Sequence, residues 1–157
     1  MKSFKPNKET SQKAHIGSLK EYQKIYDHSI NNPEEFWSEQ AERITWFKKW
    51  DQVWNWNFKK ADISWYNGAQ LNACYNCVDR HVENGYGNET ALIWEGNDPS
   101  ENKTLTYNNL LKEVQLAANS LKNLGVRKGD RVCIYMQMIP ELTIHCWLVQ
   151  GLEPYIP

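Results

Sequence analysis

The run from Thr106 to Gly125 constrains this chain more than any other stretch. Leu110, Val114, Ala117, Ala118, Leu121 and Leu124 recur at helical spacing, so one face of a helix must find apolar cover. Thr106 is placed to cap its start, and Gly125 stands where the left-handed residue that closes a helix belongs. Just before it, Ala91-Leu92-Ile93-Trp94 reads as a strand. Its hairpin partner is Leu105-Thr106-Tyr107, across a loop of Gly, Asn, Asp, Pro and Ser. Just after it, Val126 to Asp130 turns the chain into Arg131-Val132-Cys133-Ile134-Tyr135, an apolar run that suits a buried strand. Pro140-Glu141 opens a last helix. Helix, turn, strand and helix in that rhythm predict an α/β sheet rather than a helical bundle.

Upstream the pattern is different. Met1 to Ile16 is polar and cannot offset its ordering entropy, which predicts a flexible tail over 1–16. Leu19, Tyr22, Ile25, Tyr26 and Ile30 predict an amphipathic helix. A second helix starts at Asn32 as cap, with Pro33 at its first position, Glu34-Glu35 on the positive end of the dipole, and Phe36 and Trp37 as its buried face. From Thr45 to Phe58 aromatics and lysines mix without a clean period, which predicts an irregular, aromatic-packed arm. Ile63 to Tyr66 is a short strand ended by the Asn67-Gly68 turn signal. Asn72 caps a helix that presents Ala73, Cys77 and Val78 inward and ends near Gly85.

Composition bounds the function. A chain of 157 residues holds about one domain's core. Its net charge of -1 gives no electrostatic case for nucleic acid or acidic membranes. No apolar run approaches the roughly 20 residues of a membrane span, and the polar N-terminus has no apolar signal segment. The four cysteines read as reduced thiols of a cytoplasmic protein. Eight tryptophans is a large number for this length. Trp37, Trp46, Trp50, Trp54 and Trp56 crowd together, which marks either a packing interface or a ligand platform.

Few groups offer chemistry. Cys74-x-x-Cys77 with His81 has the look of half a zinc site, but Cys133 and Cys146 are isolated and no fourth ligand is evident. On a helix Cys74 and Cys77 would share a face, which suits apolar packing equally well. Asp79-Arg80-His81 supplies an acid, a cation and an imidazole. Adjacent helical residues diverge, so capping and salt-bridge contacts explain them better than a triad. None of the eight glycines forms a phosphate-binding loop. From these residues alone no site emerges, and none is assigned as catalytic, cofactor-binding or metal-ligating.

The order of motifs is more telling. Tyr26-x-x-Ser29, Pro33-x-x-Phe36-Trp37, Trp65-Tyr66, Leu71-Asn72, Asn76-Cys77-x-Asp79-Arg80-His81, Ile93-Trp94-Glu95-Gly96, Thr106-Tyr107, Lys128-Gly129-Asp130-Arg131-Val132 and Tyr135-Met136-x-Met138-Ile139-Pro140-Glu141 follow one another. In this series the chain resembles the N-terminal portion of AMP-forming acetyl-CoA synthetases (acetate–CoA ligases), in the acyl-adenylate-forming superfamily. Propionate ligases are the nearest confusable relatives, and Gln137 departs from the family's usual proline. The resemblance implies an α/β fold in which an N-terminal helical, aromatic-rich arm precedes the first strands and helices of an incomplete N-terminal domain. Its boundaries are a tail over 1–16, an arm over 17–62, and the start of the AMP-binding domain over 63–144.

The same resemblance implies that acetate attacks Mg-ATP to give acetyl-AMP and pyrophosphate, and that CoA then displaces AMP. The family's phosphate loop, acetate pocket, nucleotide motifs and adenylation lysine all lie beyond the matched segment. No cofactor is therefore expected for this segment, and it is expected to be inactive alone; the oligomeric state is left open. The alternative is a non-catalytic binding module that uses the Trp-rich segment 37–56.

Residues 145–157 depart from the family's helix. Back-translated with permitted codons and read one nucleotide out of phase, they give Leu-Leu-Ala-Cys-Ala-Arg-Ile-Gly-Ala-Ile-His-Ser, the family's continuation. This expectation is a frameshifted tail after Ile144.

Overall fold

A computed structural model describes residues 6–151. It contains helices and two small antiparallel sheets, each a single hairpin, and so mixes α and β structure. The chain divides into two compact units. One runs to Ile44 and resumes over Lys49–Ala69; the other takes Thr45–Lys48 and the described residues from Gln70 onward.

In the first unit, α1 (Lys8–Lys13) is a short exposed helix capped by Asn7, whose Oδ1 accepts from Glu9 N at 2.8 Å. The part of the expected tail that the structure describes thus includes helix, although none of that helix is buried; Met1–Lys5 lie outside the described residues. The amphipathic helix is present as α2 (Leu19–Asn31), with Ser18 as its cap. Its apolar stripe is not covered: Leu19, Tyr22, Tyr26 and Ile30 are all exposed.

Pro33 sits in the first turn of α3 (Pro33–Ala41) as expected, but Asn32 makes no side-chain cap bond. Its backbone N–H instead closes α2 on His28 O. The buried face of α3 also differs from expectation. Trp37 is exposed, and Ala41 is the residue that packs inside.

The stretch expected to be an irregular arm contains β1 (Gln52–Asn57), paired with β2 (Asp62–Asn67) around a tight turn at Phe58–Lys60. The alternation was hidden because both faces carry large apolar groups: Val53 points into the body, while Trp54 and Trp56 share the other face. Ala61 and Gly68, both at positive φ, turn the chain at the two ends of β2.

The second unit is built around the helix that opened the sequence argument. α4 (Tyr107–Asn123) starts at Thr106 with a reciprocal capping box to Asn109 and ends before Gly125, at φ 90°. β3 (Thr90–Glu95) and β4 (Asn102–Thr106) form the expected hairpin, with Tyr107 in the helix rather than the strand. α5 (Pro140–Gly151) opens at Pro140. Val78 and Leu148, both 0% exposed, meet Cys74, Leu105, Leu110, Val114 and Ile144 in one core cluster.

The largest departure is at Arg131–Tyr135. This run pairs with no strand, and Tyr135 is 99% exposed. A parallel strand is buried only when neighbours pair on both edges and helices cover both faces. No described strand pairs with this run.

Candidate functional site

The block that carries most of the sequence motifs, Asn72 to Tyr86, folds as a helical segment with two wide π turns, Tyr75–Asp79 and Val82–Tyr86. Asn72, itself buried, caps it as expected, its Oδ1 accepting from Tyr75 N at 2.9 Å. Arg80 N–H reaches back to Tyr75 O, the five-residue step that defines this winding. Gly85, at φ 88°, breaks the helical path where the segment was expected to end.

The wide turns change which residues face inward. Cys74, Asn76 and Val78 are buried, whereas Cys77 is exposed. Cys74 and Cys77 therefore do not share a face, contrary to the α-helical expectation. Burial pushes the Cys74 thiol up to about 12, with the Asp79 carboxylate, Sγ to Oδ2 3.8 Å, raising it further. A thiol so held stays protonated at neutral pH. Among the described residues no group of three His, Cys, Asp or Glu is placed to hold a metal ion.

Asp79, Arg80 and His81 diverge as adjacent helical residues must. Asp79 faces Cys74, Arg80 donates from Nη1 to Asn76 Oδ1 at 3.1 Å, and His81 lies against the Tyr107 ring with centroids 4.8 Å apart. They join three different neighbours rather than one reaction centre. Tyr75 donates its hydroxyl to Glu83 at 2.7 Å, and this bond raises the phenol above its ordinary value.

Asn76 is the residue whose role the sequence did not reveal. Its Oδ1 accepts from Thr45 N at 2.8 Å, and its Nδ2 donates to Thr45 O at 2.9 Å and Asn72 O at 3.0 Å. This clamp draws Thr45–Lys48 onto the second unit, beside the Lys48–Gln70 bridge. An asparagine buried inside a helix is disfavoured unless its side chain is satisfied, and that mismatch was the available signal.

Between this segment and α4 lies an open cleft of about 320 Å³, lined by Asn72, Tyr75, Asp79, Gln115, Asn119 and Lys122 among others. It holds a carboxylate, an ammonium group and amides, but no base aligned on a nucleophile. Lys128-Gly129-Asp130 likewise forms a turn and not a phosphate cradle: Asp130 Oδ2 accepts from Arg127 N at 2.7 Å.

The tryptophans of the first unit stack on one another. Trp54 lies 5.9 Å from Trp65 and 6.0 Å from Trp56, both nearly parallel, and Trp37 meets Trp65 edge-on at 5.8 Å. Trp50 leans on Tyr66, whose hydroxyl donates to Trp37 O at 3.0 Å. Mutual packing accounts for this arrangement, although Trp56 remains 54% exposed. Trp46, the fifth member, is half-buried and belongs to the other unit.

Comparison with known proteins matches two consecutive family profiles: the acetyl-coenzyme A synthetase N-terminus over residues 22–77 and the AMP-binding enzyme profile over residues 78–147. A Leptospira biflexa acetyl-coenzyme A synthetase is 52% identical over 139 residues, covering 88% of this chain and 21% of that protein. Acetyl-coenzyme A synthetase 2 of Pseudomonas aeruginosa is 50% identical over 122 residues, covering 77% of this chain and 19% of the relative. A Drosophila melanogaster acetyl-coenzyme A synthetase is 49% identical over 148 residues, covering 90% and 22%. The chain thus spans about a fifth of the length of the relatives it matches.

Proposed function

We propose, from the premise that this chain belongs to the acetyl-coenzyme A synthetase family as an N-terminal portion, that it supplies scaffold rather than catalytic groups. The reaction it serves is the AMP-forming ligation of acetate and CoA: acetate displaces pyrophosphate from Mg-ATP to give acetyl-AMP, and the CoA thiol displaces AMP. The observation that carries this reading is the unbroken succession of the two profiles from residue 22 to residue 147. The geometry agrees with it. The motif residues Asn72, Asn76, Asp79, Arg80 and His81 are engaged in caps, clamps and ring contacts.

On this reading the chain by itself holds no Mg-ATP or CoA and catalyses nothing, because charge stabilisation and substrate positioning both come from elsewhere in the enzyme. Its setting is the cytoplasm, with four free cysteines and, among the described residues, no helix long and apolar enough to cross a membrane. Neither nucleic acid nor a membrane surface is among its partners. The binding-module alternative built on the Trp-rich segment is not favoured by the relatives.

Two measurements test the proposal. The chain alone, given acetate, ATP, magnesium and CoA, should release no pyrophosphate. A chimera joining residues 1–144 to the remainder of the Leptospira biflexa relative should release it with acetate, and more slowly with propionate. A folded but inert chimera, or turnover by the chain alone, overturns the reading. The frameshift part of the proposal is tested at the nucleotide level across the codon of Ile144. There, restoring one deleted base should reopen the family's continuation.

A further inference from the structure

Asparagine followed by glycine occurs twice in this chain, at Asn67-Gly68 and Asn84-Gly85. Such a step is chemically distinct, because a glycine with no Cβ lets its nitrogen reach the preceding carboxamide and close a five-membered ring. Both glycines stand at positive φ, 76° and 88°, so their backbone does not separate them. The surroundings of the two asparagines do. Asn67 ends β2 in register with Gln52, its carbonyl accepting from Asp51 N at 2.8 Å. Its half-buried side chain donates from Nδ2 to Ser64 Oγ at 3.1 Å and to Gln52 Oε1 at 3.4 Å. Asn84 is exposed, and among the described residues its carboxamide has no hydrogen-bond partner. It stands where the helical path breaks, and a Cβ added to Gly85 would meet nothing within 4 Å. The carboxamide can therefore turn onto the next nitrogen, with open space for water around both.

We propose that Asn84-Gly85 is a site of spontaneous covalent modification, where asparagine becomes isoaspartate and loosens the start of α4. Gly85 N bonds to Asn84 Cγ, the Cγ–Nδ2 bond breaks, and ammonia leaves with the amide proton. The product is a succinimide. Water then opens the ring: cleavage at Cγ gives aspartate, and cleavage at the main-chain carbonyl gives isoaspartate. The sum is one water taken up and one ammonia released, with no oxidant or reductant. Isoaspartate adds one carbon to the main chain just ahead of the residues that hold α4. There Gly87 O accepts from Asn108 N at 2.9 Å, Glu89 O accepts from Tyr107 N at 3.1 Å, and the His81 ring lies against Tyr107. Gly87 is buried without slack, since a Cβ there would fall 2.6 Å from Asn108 Oδ1. The added length must therefore disturb this anchor. The inference takes nothing from the ligase reading, because it depends on this segment's own chemistry.

The test ages the full 157-residue chain at pH 8, folded and in concentrated urea, and then cleaves it with trypsin. Asn67 and Asn84 fall in separate peptides, 61–80 and 81–103, and mass spectrometry reads the acid formed in each. In urea the two should convert at similar rates. In the folded chain Asn84 should outpace Asn67 by about tenfold or more, since Asn67 must first break its bonds to Ser64 and Gln52. An isoaspartyl-specific carboxyl methyltransferase with a labelled methyl donor should label peptide 81–103 of the aged chain. Amide exchange at Asn108 should be faster in the aged chain than in Asn84→Asp, which gains the charge without the extra carbon. Three results overturn the proposal: Asn67 keeping pace with Asn84 in the folded chain, no isoaspartate in peptide 81–103, or Asn108 exchanging alike in the aged chain and Asn84→Asp.

Discussion

Replacing Asn76 by alanine tests the central claim about the motif block, that its polar residues hold the structure together. The side chain takes part in four hydrogen bonds, two with the backbone of Thr45, one with Asn72 O and one with Arg80. They do not weigh equally. Asn72 O keeps the N–H of residue 76 as a partner, and the long Arg80 side chain can turn to water. The Thr45 N–H and C=O lose their partners in a part-buried setting. At about 1 kcal/mol for each bond and somewhat more for an orphaned group, Asn76→Ala should cost about 2–3 kcal/mol. In a chain of this size that lowers the melting temperature by roughly 5–10 °C. Urea unfolding followed by tryptophan fluorescence should show a lower midpoint with an unchanged slope, and the Thr45 amide should lose exchange protection. Asn76→Asp keeps an acceptor for Thr45 N but sets a carboxylate oxygen against Thr45 O and Asn72 O, so its cost should at least equal that of alanine. A loss below about 0.5 kcal/mol, the range of ordinary surface changes, or an unaltered Thr45 amide would refute the clamp.

Cysteine reactivity should separate into two classes. At pH 8 a thiol reagent should modify exposed Cys77, Cys133 and Cys146 quickly and Cys74 only when the chain unfolds; rapid labelling of all four would contradict its burial. The same thiol fixes a pH dependence. Its folded value, about 12, lies above the thiol's ordinary value of 9.0, so its contribution is complete below about 9 and is lost as pH rises through that window, which alkaline unfolding curves of wild type and Cys74→Ala will compare. Leu148→Ala should cost about 2–5 kcal/mol in urea unfolding, because the side chain is fully buried against the core cluster, while Cys146→Ala in the same helix should change little.

Local signals were legible without coordinates. The spacing of Leu110, Val114 and Leu121, the cap at Thr106 and the stop at Gly125 specified α4 to within a residue or two. Pro33 and Pro140 marked helix starts because proline fixes φ, and Asn67-Gly68 marked a strand end because glycine admits the positive φ of the turn. The winding of the Asn72–Tyr86 segment was not legible. An extra residue per turn leaves no trace in composition, yet it sends Cys77 outward and buries Asn76. The exposed stripe of α2 is a second instance: periodicity shows that a face is apolar but not what covers it.

The sequence by itself determined the order of motifs that carries the family resemblance, the longer helices, and the caps at Asn72 and Thr106. These follow from residue order and from interactions within a few positions. Only the tertiary structure decided that Val53 turns inward while Trp54 and Trp56 stack outside, that Asn76 holds Thr45, and that Arg131–Tyr135 lies unpaired. The physical reason is common to all three. Helix and turn are closed by neighbours in sequence, whereas a strand or a buried amide is completed only by partners brought from elsewhere in the chain.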